Sequence, residues 1–336
     1  MKNRKTLRIG ITPGDPSGIG PETALKAVNE IAGPEIIPVL IGGRLNIKKN
    51  YSSLAEDYTF ISADSLEKEL QPSKKYICEL EYPAHHHRPG RGTVESALEA
   101  LFCIDSAVDL WKKGLIDAVV TGPVHKGLIE RAGVSFTGHT EYIAGRIGED
   151  DPLMLMYSSD YRVILATTHI PLSEVTRSLD KDRLKKIITE GFRAIETIDG
   201  AAGTVALCGL DPHCGDEGAI GVFDTEVTLS AAGELRQEGF PLTGPLAADT
   251  LFIPDNWKKY SLAVAMYHDQ GMIPFKMLSF EKGVNVTAGL SITRTSPDHG
   301  TAFDLAGKGT ALYSSMKEAI LLARDIEQKK RMKTGN

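Results

Sequence analysis

Short apolar runs that stop abruptly at polar residues constrain the fold of this chain more than any other feature. Three of these runs, at residues 162–168, 203–210 and 262–266, are followed closely by His169, His213 and His268. Runs of this kind between turn residues are typical of buried strands in a parallel sheet. Ligands of open α/β sheets bind outside the carboxyl ends of the strands. The pattern therefore predicts an α/β fold whose functional groups gather at one sheet edge.

Length and composition limit the class of protein. A chain of 336 residues predicts two domains, or one large α/β unit with a second lobe. The net charge of -6 gives no support to a nucleic-acid partner, so a small-molecule partner is expected. The four cysteines form no CxxC pair, and the basic N-terminal segment is not followed by a long apolar run. No apolar stretch approaches about 18 residues, so we expect a cytoplasmic protein that does not enter a membrane.

Local sequence pattern predicts the structure of three further segments. The predicted strand Leu7–Thr12 runs into a glycine-rich turn at residues 13–22 that lacks GxGxxG spacing. A plain strand-to-helix turn and a ligand loop are equally compatible with that turn. An amphipathic pattern at residues 95–113 predicts a helix that faces the core. The three consecutive histidines at residues 85–87 lie among prolines and predict a solvated surface loop rather than a metal site.

The three strand-end histidines predict a metal site. Their separations along the chain exclude a local zinc-finger motif, so the prediction depends on neighbouring parallel strands bringing His169, His213 and His268 together. Three imidazoles leave open positions on a divalent ion, which is the catalytic arrangement. The alternative is three unrelated core histidines, and the aspartates near the strand ends favour the metal. Cys214 is assigned to packing, because adjacent residues rarely both reach one ion.

A second set of polar residues lies at glycine and proline turns beside predicted strand ends. A cation at such a turn, with oriented backbone amides, suits a phosphate or carboxylate. The plainer interpretation is a set of surface lysines and a helix cap. The set comprises Lys126, His139, Thr140, Lys276, Asn285 and Arg294. Together with a metal, it predicts a small anionic substrate with a hydroxyl that the metal can polarise.

These motifs resemble those of the 4-hydroxythreonine-4-phosphate dehydrogenase family of vitamin B6 (pyridoxine) biosynthesis. The resemblance spans nearly the whole chain and rests on GDPSGIGPE, TGPVHKG, FTGHTEY, ATTHIPL, DPHCGD, GPLAADTLF, AMYHDQG and GVNVTAGLSITRTSPDHGTAFDLAGKG. The first and last motifs also resemble the isocitrate and isopropylmalate dehydrogenases. That wider group implies a two-domain α/β fold with a largely parallel sheet that binds NAD without a Rossmann fingerprint.

The resemblance also implies roles for individual residues. It implies an oxidoreductase that uses NAD or NADP and one divalent metal (zinc, magnesium or cobalt), and a homodimer with the active site at the interface. Asp249 and the YHDQG segment are candidates for donation to the partner's site. An NAD-binding domain is expected at residues 1–125 plus 278–336, and a metal, substrate and dimerisation domain at 126–277. The implied residues are His169, His213 and His268 for the metal; His139, Thr140, Lys276, Asn285 and Arg294 for the substrate; Asn285, Gly289, His299, Gly300, Thr301 and Asp304 for the cofactor; and Lys126, Asp249 or Lys276 as the catalytic base.

The chain departs from the family pattern at one place. Asp211, Cys214 and Asp216 stand where the family has Asn, Ala and Glu around the metal histidine His213.

The reaction that the resemblance implies is oxidation and decarboxylation of 4-phosphohydroxy-L-threonine to 3-amino-2-oxopropyl phosphate. A paralogous dehydrogenase of D-threonate or D-erythronate 4-phosphate is the near alternative. The distant alternatives are a non-catalytic metal- and phosphate-binding protein and a three-histidine hydrolase.

Overall fold

The computed structural model describes residues 6–31, 33–82 and 85–334, and the chain forms two compact units. The first unit contains the chain up to Asp151 and again from Leu290 onward, and the second is Pro152–Gly289. The strands in chain order are β1 (Leu7–Thr12), β2 (Ile36–Ile41), β3 (Tyr58–Ser62), β4 (Lys75–Glu79), β5 (Ala118–Thr121), β6 (Leu153–Tyr157), β7 (Arg162–Leu165), β8 (Val205–Cys208), β9 (Leu242–Leu246), β10 (Leu262–Ala265), β11 (Val284–Ala288) and β12 (Arg294–Pro297).

The helices alternate with these strands along much of the chain. They are α1 (Gly20–Ile31), α2 (Arg44–Asn50), α3 (Val94–Lys112), α4 (Lys126–Arg131), α5 (His139–Ile147), α6 (Val175–Ser178), α7 (Lys181–Asp199), α8 (Leu229–Gln237), α9 (Ala248–Leu251), α10 (Pro254–Trp257), α11 (His268–Ser279) and α12 (Ser314–Thr334). A search of the described part of the chain for a helix both long and apolar enough to cross a membrane finds none.

The first unit is built on a parallel sheet. Its strands lie in the order β3-β4-β2-β1-β5-β12, and each paired neighbour is parallel. All residues of β1 and β2 are buried, as their continuous apolar sequences predict. The predicted amphipathic helix is α3, which Thr93 begins with a capping box and which buries Leu101, Ile104 and Val108. In the sheet, β1 lies between β2 on one side and β5 on the other, so the chain crosses over in opposite directions from the turn after β1. Ligands of α/β sheets commonly bind at such a point.

The second unit carries the three strands that precede the histidines. Its strand order is β11-β6-β7-β10-β8-β9, with β6 antiparallel to both of its neighbours. β7, β10 and β8 are adjacent and parallel, which confirms the predicted parallel set. One difference follows β10: the polar residues after this strand form the first turn of α11, which begins at His268. Phe275 on that helix packs into the core of the unit with Trp257.

The compact units divide at other residues than the predicted domains. Residues 126–151 belong to the first unit because α4 and α5 pack against α3. Residues 278–289 belong to the second because β11 pairs with β6. The sequence pattern indicates where strands end, but it does not indicate which element a short helix packs against. The sequence alone therefore did not give these unit boundaries. The α/β class and the largely parallel arrangement agree with the prediction.

Candidate active site

Two of the predicted metal histidines lie close together in the second unit. The ring centroids of His169 and His268 are 5.7 Å apart and tilted by 40°. Nδ1 of His268 is 2.7 Å from Oδ1 of Asp269. When Nδ1 donates to this carboxylate, Nε2 keeps its lone pair for an ion or a proton. These two histidines therefore fit the donor chemistry of a metal site.

The third predicted ligand lies on a strained segment. Residues 213–217 all have positive φ, with 53° at His213 and 45° at Asp216, and only Gly215 among them adopts such angles freely. The buried carboxylate of Asp224 holds the preceding chain by accepting hydrogen bonds from the backbone N–H groups of Leu210 and Asp211, both at 2.9 Å. Burial, and secondarily Asp224, raises the pKa of Asp211.

The three histidines do not converge on one point in this structure. Across residues 6–31, 33–82 and 85–334, no three His, Cys, Asp or Glu side chains are close enough together to hold a metal ion. His169 and His268 are near each other and His213 is not placed with them, so the complete ligand set stays a prediction. Asp249 lies near this region, because its charge contributes to the raised pKa of Cys214 after burial and Asp224.

A buried glutamine ties the strand ends of the second unit together. Gln270 is 9% exposed and accepts a hydrogen bond from the backbone N–H of Met266 at 2.7 Å. Its Nε2 donates to the carbonyl oxygen of Gly209, also at 2.7 Å. Thr167 Oγ1 donates to the Met266 carbonyl at 2.8 Å. The sequence analysis considered Gln270 only as part of the YHDQG segment, a candidate for donation to the partner's site, and did not predict this hydrogen-bonding role.

The other predicted residues of the second unit present polar groups with different exposure. Lys276 is an exposed residue of α11. Asn285 lies on β11, and its Oδ1 is buried without a hydrogen-bond partner among the described residues. Gly289, with φ of 82°, follows β11 and ends the unit. The unsatisfied oxygen of Asn285 suits a ligand that donates a hydrogen bond.

A buried guanidinium forms the centre of the predicted anion pocket in the first unit. Arg294 is 2% exposed, and its Nε and Nη2 donate to Thr121 Oγ1 at 3.1 and 2.7 Å. Its Nη1 lies 3.5 Å from Thr140 Oγ1. Burial lowers the pKa of Arg294 to about 10, and the charge of Glu141 opposes that shift. The group stays a cation at neutral pH and suits a phosphate.

His139 faces the same pocket as a neutral imidazole. It begins α5, hydrogen-bonds to the backbone of Gly122, and has a buried Nε2 without a partner among the described residues. Burial lowers its pKa well below the usual value, and the charges of Arg294 and Lys126 lower it further. An unsatisfied buried nitrogen beside two cations is an open position for an anionic ligand that carries a hydroxyl.

Lys126 and Glu141 meet against the backbone of Gly138. A Cβ atom added to Gly138 would lie 2.9 Å from Glu141 Oε2 and 3.5 Å from Lys126 Nζ. The absence of a side chain at Gly138 thus makes room for both charged groups. Of the predicted substrate and catalytic residues, the first unit therefore brings together Lys126, His139, Thr140 and Arg294, and sequence reasoning missed Thr121 and Glu141 beside them.

The predicted cofactor residues divide between the two units. Asn285 and Gly289 lie in the second, whereas His299, Gly300, Thr301 and Asp304 lie in a loop of the first. Burial lowers the pKa of His299, and its Nε2 is buried without a partner among the described residues. Asp304 is exposed. The loop thus offers an unsatisfied nitrogen and an exposed carboxylate to a ligand.

The prediction of a solvated surface loop at residues 85–87 is wrong for one of the three histidines. His85 and His86 are exposed, but His87 is 5% exposed and its Nε2 lies 2.9 Å from Glu99 Oε2. Its backbone N–H donates to Asn46 Oδ1 at 2.9 Å. The partners come from α3 and α2, so local composition gave no sign that this histidine would be buried.

The fold and the site define an α/β protein with histidines beyond the carboxyl ends of β7, β8 and β10, and with a buried arginine that contacts Thr121 at the carboxyl end of β5. This arrangement is typical of enzymes that act on small anions. The chain belongs to the family described as pyridoxal phosphate biosynthetic protein PdxA, whose sequence model matches residues 35–323. This finding confirms the predicted family, and with it an oxidoreductase family of pyridoxal phosphate biosynthesis.

Individual relatives agree with the family assignment. A 4-hydroxythreonine-4-phosphate dehydrogenase of Ruegeria sp. (strain TM1040) is 39% identical over 324 residues, which cover 95% of this chain and 96% of the relative. The solved structure of a 4-hydroxythreonine-4-phosphate dehydrogenase from Klebsiella pneumoniae matches with a TM-score of 0.82 at 33% identity, covering 97% of this chain and 100% of that one. An isocitrate dehydrogenase from Methylococcus capsulatus shares the fold, with a TM-score of 0.50 at 14% identity over 98% of this chain and 89% of its own.

Proposed function

We propose that the protein oxidises and decarboxylates 4-phosphohydroxy-L-threonine with NAD or NADP, giving 3-amino-2-oxopropyl phosphate, CO2 and the reduced cofactor. The observation that carries the proposal is the buried guanidinium of Arg294, which lies beside Thr140 and the unsatisfied Nε2 of His139 in the predicted anion pocket. The names of the relatives give the substrate and the dehydrogenase chemistry.

The phosphate of the substrate binds in this pocket. Arg294 cannot lose its charge at neutral pH, and its contacts with Thr121 fix the direction of the guanidinium. His139 and Thr140 add polar contacts at the first turn of α5, where the helix dipole also favours an anion. Lys276 and Asn285 are proposed as further substrate contacts.

The reacting end of the substrate carries the C3 hydroxyl and the carboxylate. His169, His213 and His268 are the residues that would hold one divalent ion (zinc, magnesium or cobalt), and that ion would supply Lewis acidity to lower the pKa of the hydroxyl. Lys126, Asp249 and Lys276 are the candidate bases for the hydroxyl proton. A nicotinamide cofactor bound here would accept the hydride from C3, and the β-keto acid formed would lose CO2. The cofactor contacts are proposed at Asn285, Gly289, His299, Gly300, Thr301 and Asp304.

A homodimer with an interfacial active site is proposed from the surface of the second unit. Ile273, Met277 and Phe280 recur at helical spacing on or beside α11 and are 58%, 80% and 63% exposed. Exposed apolar stripes of this kind mark protein interfaces. The same helix begins at His268, so self-association through α11 would bring a metal histidine near the partner subunit.

A cytoplasmic location is proposed from the cysteines. All four are free thiols, which suits the reducing cytoplasm.

The test is a comparison of cofactor reduction with three substrates. Purified protein supplied with a divalent metal should form NADH or NADPH with 4-phosphohydroxy-L-threonine much faster than with D-threonate or D-erythronate 4-phosphate. Faster turnover of either sugar-acid phosphate would assign the paralogous function instead. Absence of cofactor reduction with all three substrates would leave the non-catalytic or hydrolytic alternatives.

A further inference from the structure

A hydrogen bond joins the turn after β1 to the loop that carries predicted cofactor residues, although the two segments are far apart in the sequence. The backbone N–H of Ile19, in the turn after β1, donates to the carbonyl oxygen of Thr301 at 2.9 Å. A Cβ atom added to Gly18 would lie 2.7 Å from the same oxygen, so glycine is required for this approach. This contact fixes the beginning of the loop at residues 299–311.

An ion pair between a buried carboxylate and a partly exposed lysine contacts the other end of the loop. Glu22, in the first turn of α1, is 1% exposed, and its Oε1 accepts a hydrogen bond from the backbone N–H of Ala311 at 3.0 Å. Lys26 lies one turn further along α1, 2.7 Å from the same Oε1, and its Nζ also donates to the carbonyl oxygen of Gly309 at 2.8 Å. Glu22 and Lys26 therefore hold the backbone on both sides of Thr310, at the Ala311 N–H and the Gly309 carbonyl.

The remaining contacts of the second half of the loop are turn hydrogen bonds, such as Lys308 N–H to the Leu305 carbonyl at 3.3 Å, and a small cluster of Ala306 and Ala311 with Ile19. Phe303 packs against Gly92 and stacks on His125, but between residues 304 and 310 only Ala306 is buried. Gly307 and Gly309 both have positive φ, and glycine segments lose more conformational entropy than others when they are ordered. The Glu22 and Lys26 contacts therefore add to a set of short-range contacts, and we expect their loss to increase the conformational freedom of this stretch.

We propose that Glu22 and Lys26 are positioning residues for the dinucleotide: they hold the loop at residues 299–311 in the conformation that binds the cofactor, without touching it. The inference rests on the proposed function, because only there is the loop a cofactor site. A loop already ordered in the free protein lowers the entropy lost on binding, so the ion pair acts on cofactor affinity and not on the chemical step. Asp304 is the predicted contact whose position depends on it most.

The experiment measures cofactor binding and kinetics in matched variants. Glu22→Gln keeps the side-chain shape and a carbonyl oxygen for Ala311 but removes the charge that Lys26 pairs with. Lys26→Met keeps an apolar stem and loses the bond to Gly309. Each should weaken NADH binding, followed by fluorescence titration, by about tenfold, and raise KM for the cofactor similarly. kcat and KM for the phosphorylated substrate should stay within about twofold of wild type.

Glu30→Gln is the control variant. Glu30 is also on α1, and its partners are Lys317 of α12 and Tyr313, which both lie outside residues 299–311. Amide hydrogen exchange should quicken at residues 304–311 in the Glu22 and Lys26 variants and not in this control. Thermal unfolding reports whether each variant is folded. If Glu22→Gln does not fold, Lys26→Met alone tests the positioning role.

The outcomes separate the inference from the proposed function. If wild-type protein binds neither NADH nor NADPH, the proposed function fails at the cofactor. If wild type binds the cofactor and both variants bind it as tightly as Glu30→Gln does, the positioning role is overturned. Equal losses in kcat and in both KM values would indicate general disruption and would also overturn it.

Discussion

Gln270 Nε2 donates to the Gly209 carbonyl oxygen across 2.7 Å, and this bond joins the end of β10 to the end of β8. The same side chain accepts from Met266, two residues before His268. One amide therefore connects the strand end that carries His268 to the segment that leads to His213. This amide fixes the backbone near His268 relative to the backbone that leads to His213. The two hydrogen bonds form without a metal ion.

Replacement of Gln270 by leucine should weaken both the fold and the metal site. The change leaves the Gly209 carbonyl and the Met266 N–H buried without their partner, so we expect the free energy of unfolding to fall by about 2 kcal/mol. Metal affinity, measured by competition with a chromogenic chelator, should fall about tenfold because the ligands lose their orientation. Gln237→Leu, at the exposed end of α8, is the control. Unchanged metal affinity in a destabilised Gln270 variant would show that the glutamine serves only the fold.

Replacement of His213 by alanine tests whether the strained segment supplies a ligand. We expect turnover to be abolished and the bound metal to be reduced, as for His169→Ala and His268→Ala. His86→Ala is the control because His86 is exposed and lies in the other unit. Metal content is measured by atomic spectroscopy after dialysis. Retention of full activity in metal-stripped buffer would contradict the metal role of all three histidines.

The sequence predicts the strands and the groups at their ends better than it predicts the contacts between distant segments. Period and composition located β7, β8 and β10. Their adjacency was a separate prediction about the sheet, and the strand order confirms it. They could not show the run of positive φ at residues 213–217, because four of those five residues are not glycine. Nor could they show that Glu22 meets Ala311, since such a contact depends on how two chain segments meet in the folded unit.

Replacement of Arg294 by lysine should weaken binding of the phosphorylated substrate. A lysine keeps the charge but cannot donate to Thr121 and to a phosphate in the same planar geometry. We expect KM for the substrate to rise at least tenfold while KM for the cofactor changes less than twofold. Arg146→Lys, on the exposed side of α5, is the control. Steady-state kinetics with each reactant varied in turn measures the split, and equal changes in both KM values would argue against a phosphate contact.

A charged residue on the exposed stripe of α11 should disrupt self-association. Met277→Glu places a carboxylate between Ile273 and Phe280, and burying an unpaired charge in an interface costs several kcal/mol. We expect sedimentation velocity to show a dimer for wild type and a monomer for the variant. Met332→Glu is the control, because Met332 is as exposed but lies on α12 of the other unit. A variant that sediments like wild type would place the interface elsewhere.

The depressed pKa of His139 predicts a pH dependence of stability. Its pKa in the folded protein lies well below the usual 6.5, mainly through burial and then through Arg294 and Lys126. The unfolded chain therefore binds more protons than the folded chain between these two pKa values, so stability falls as the pH drops through 6.5 toward the folded pKa.

Replacement of His139 by glutamine should remove that dependence. Denaturant unfolding of wild type should lose at most about 1.4 kcal/mol per pH unit more than the variant below pH 6.5, and the two slopes should agree above pH 7. Other groups titrate in both proteins, so only the difference between the two reports on this histidine. A bound phosphate should reduce the difference, because an anion beside Nε2 favours the protonated ring. Parallel curves below pH 6.5 would show that the ring titrates normally in the folded protein.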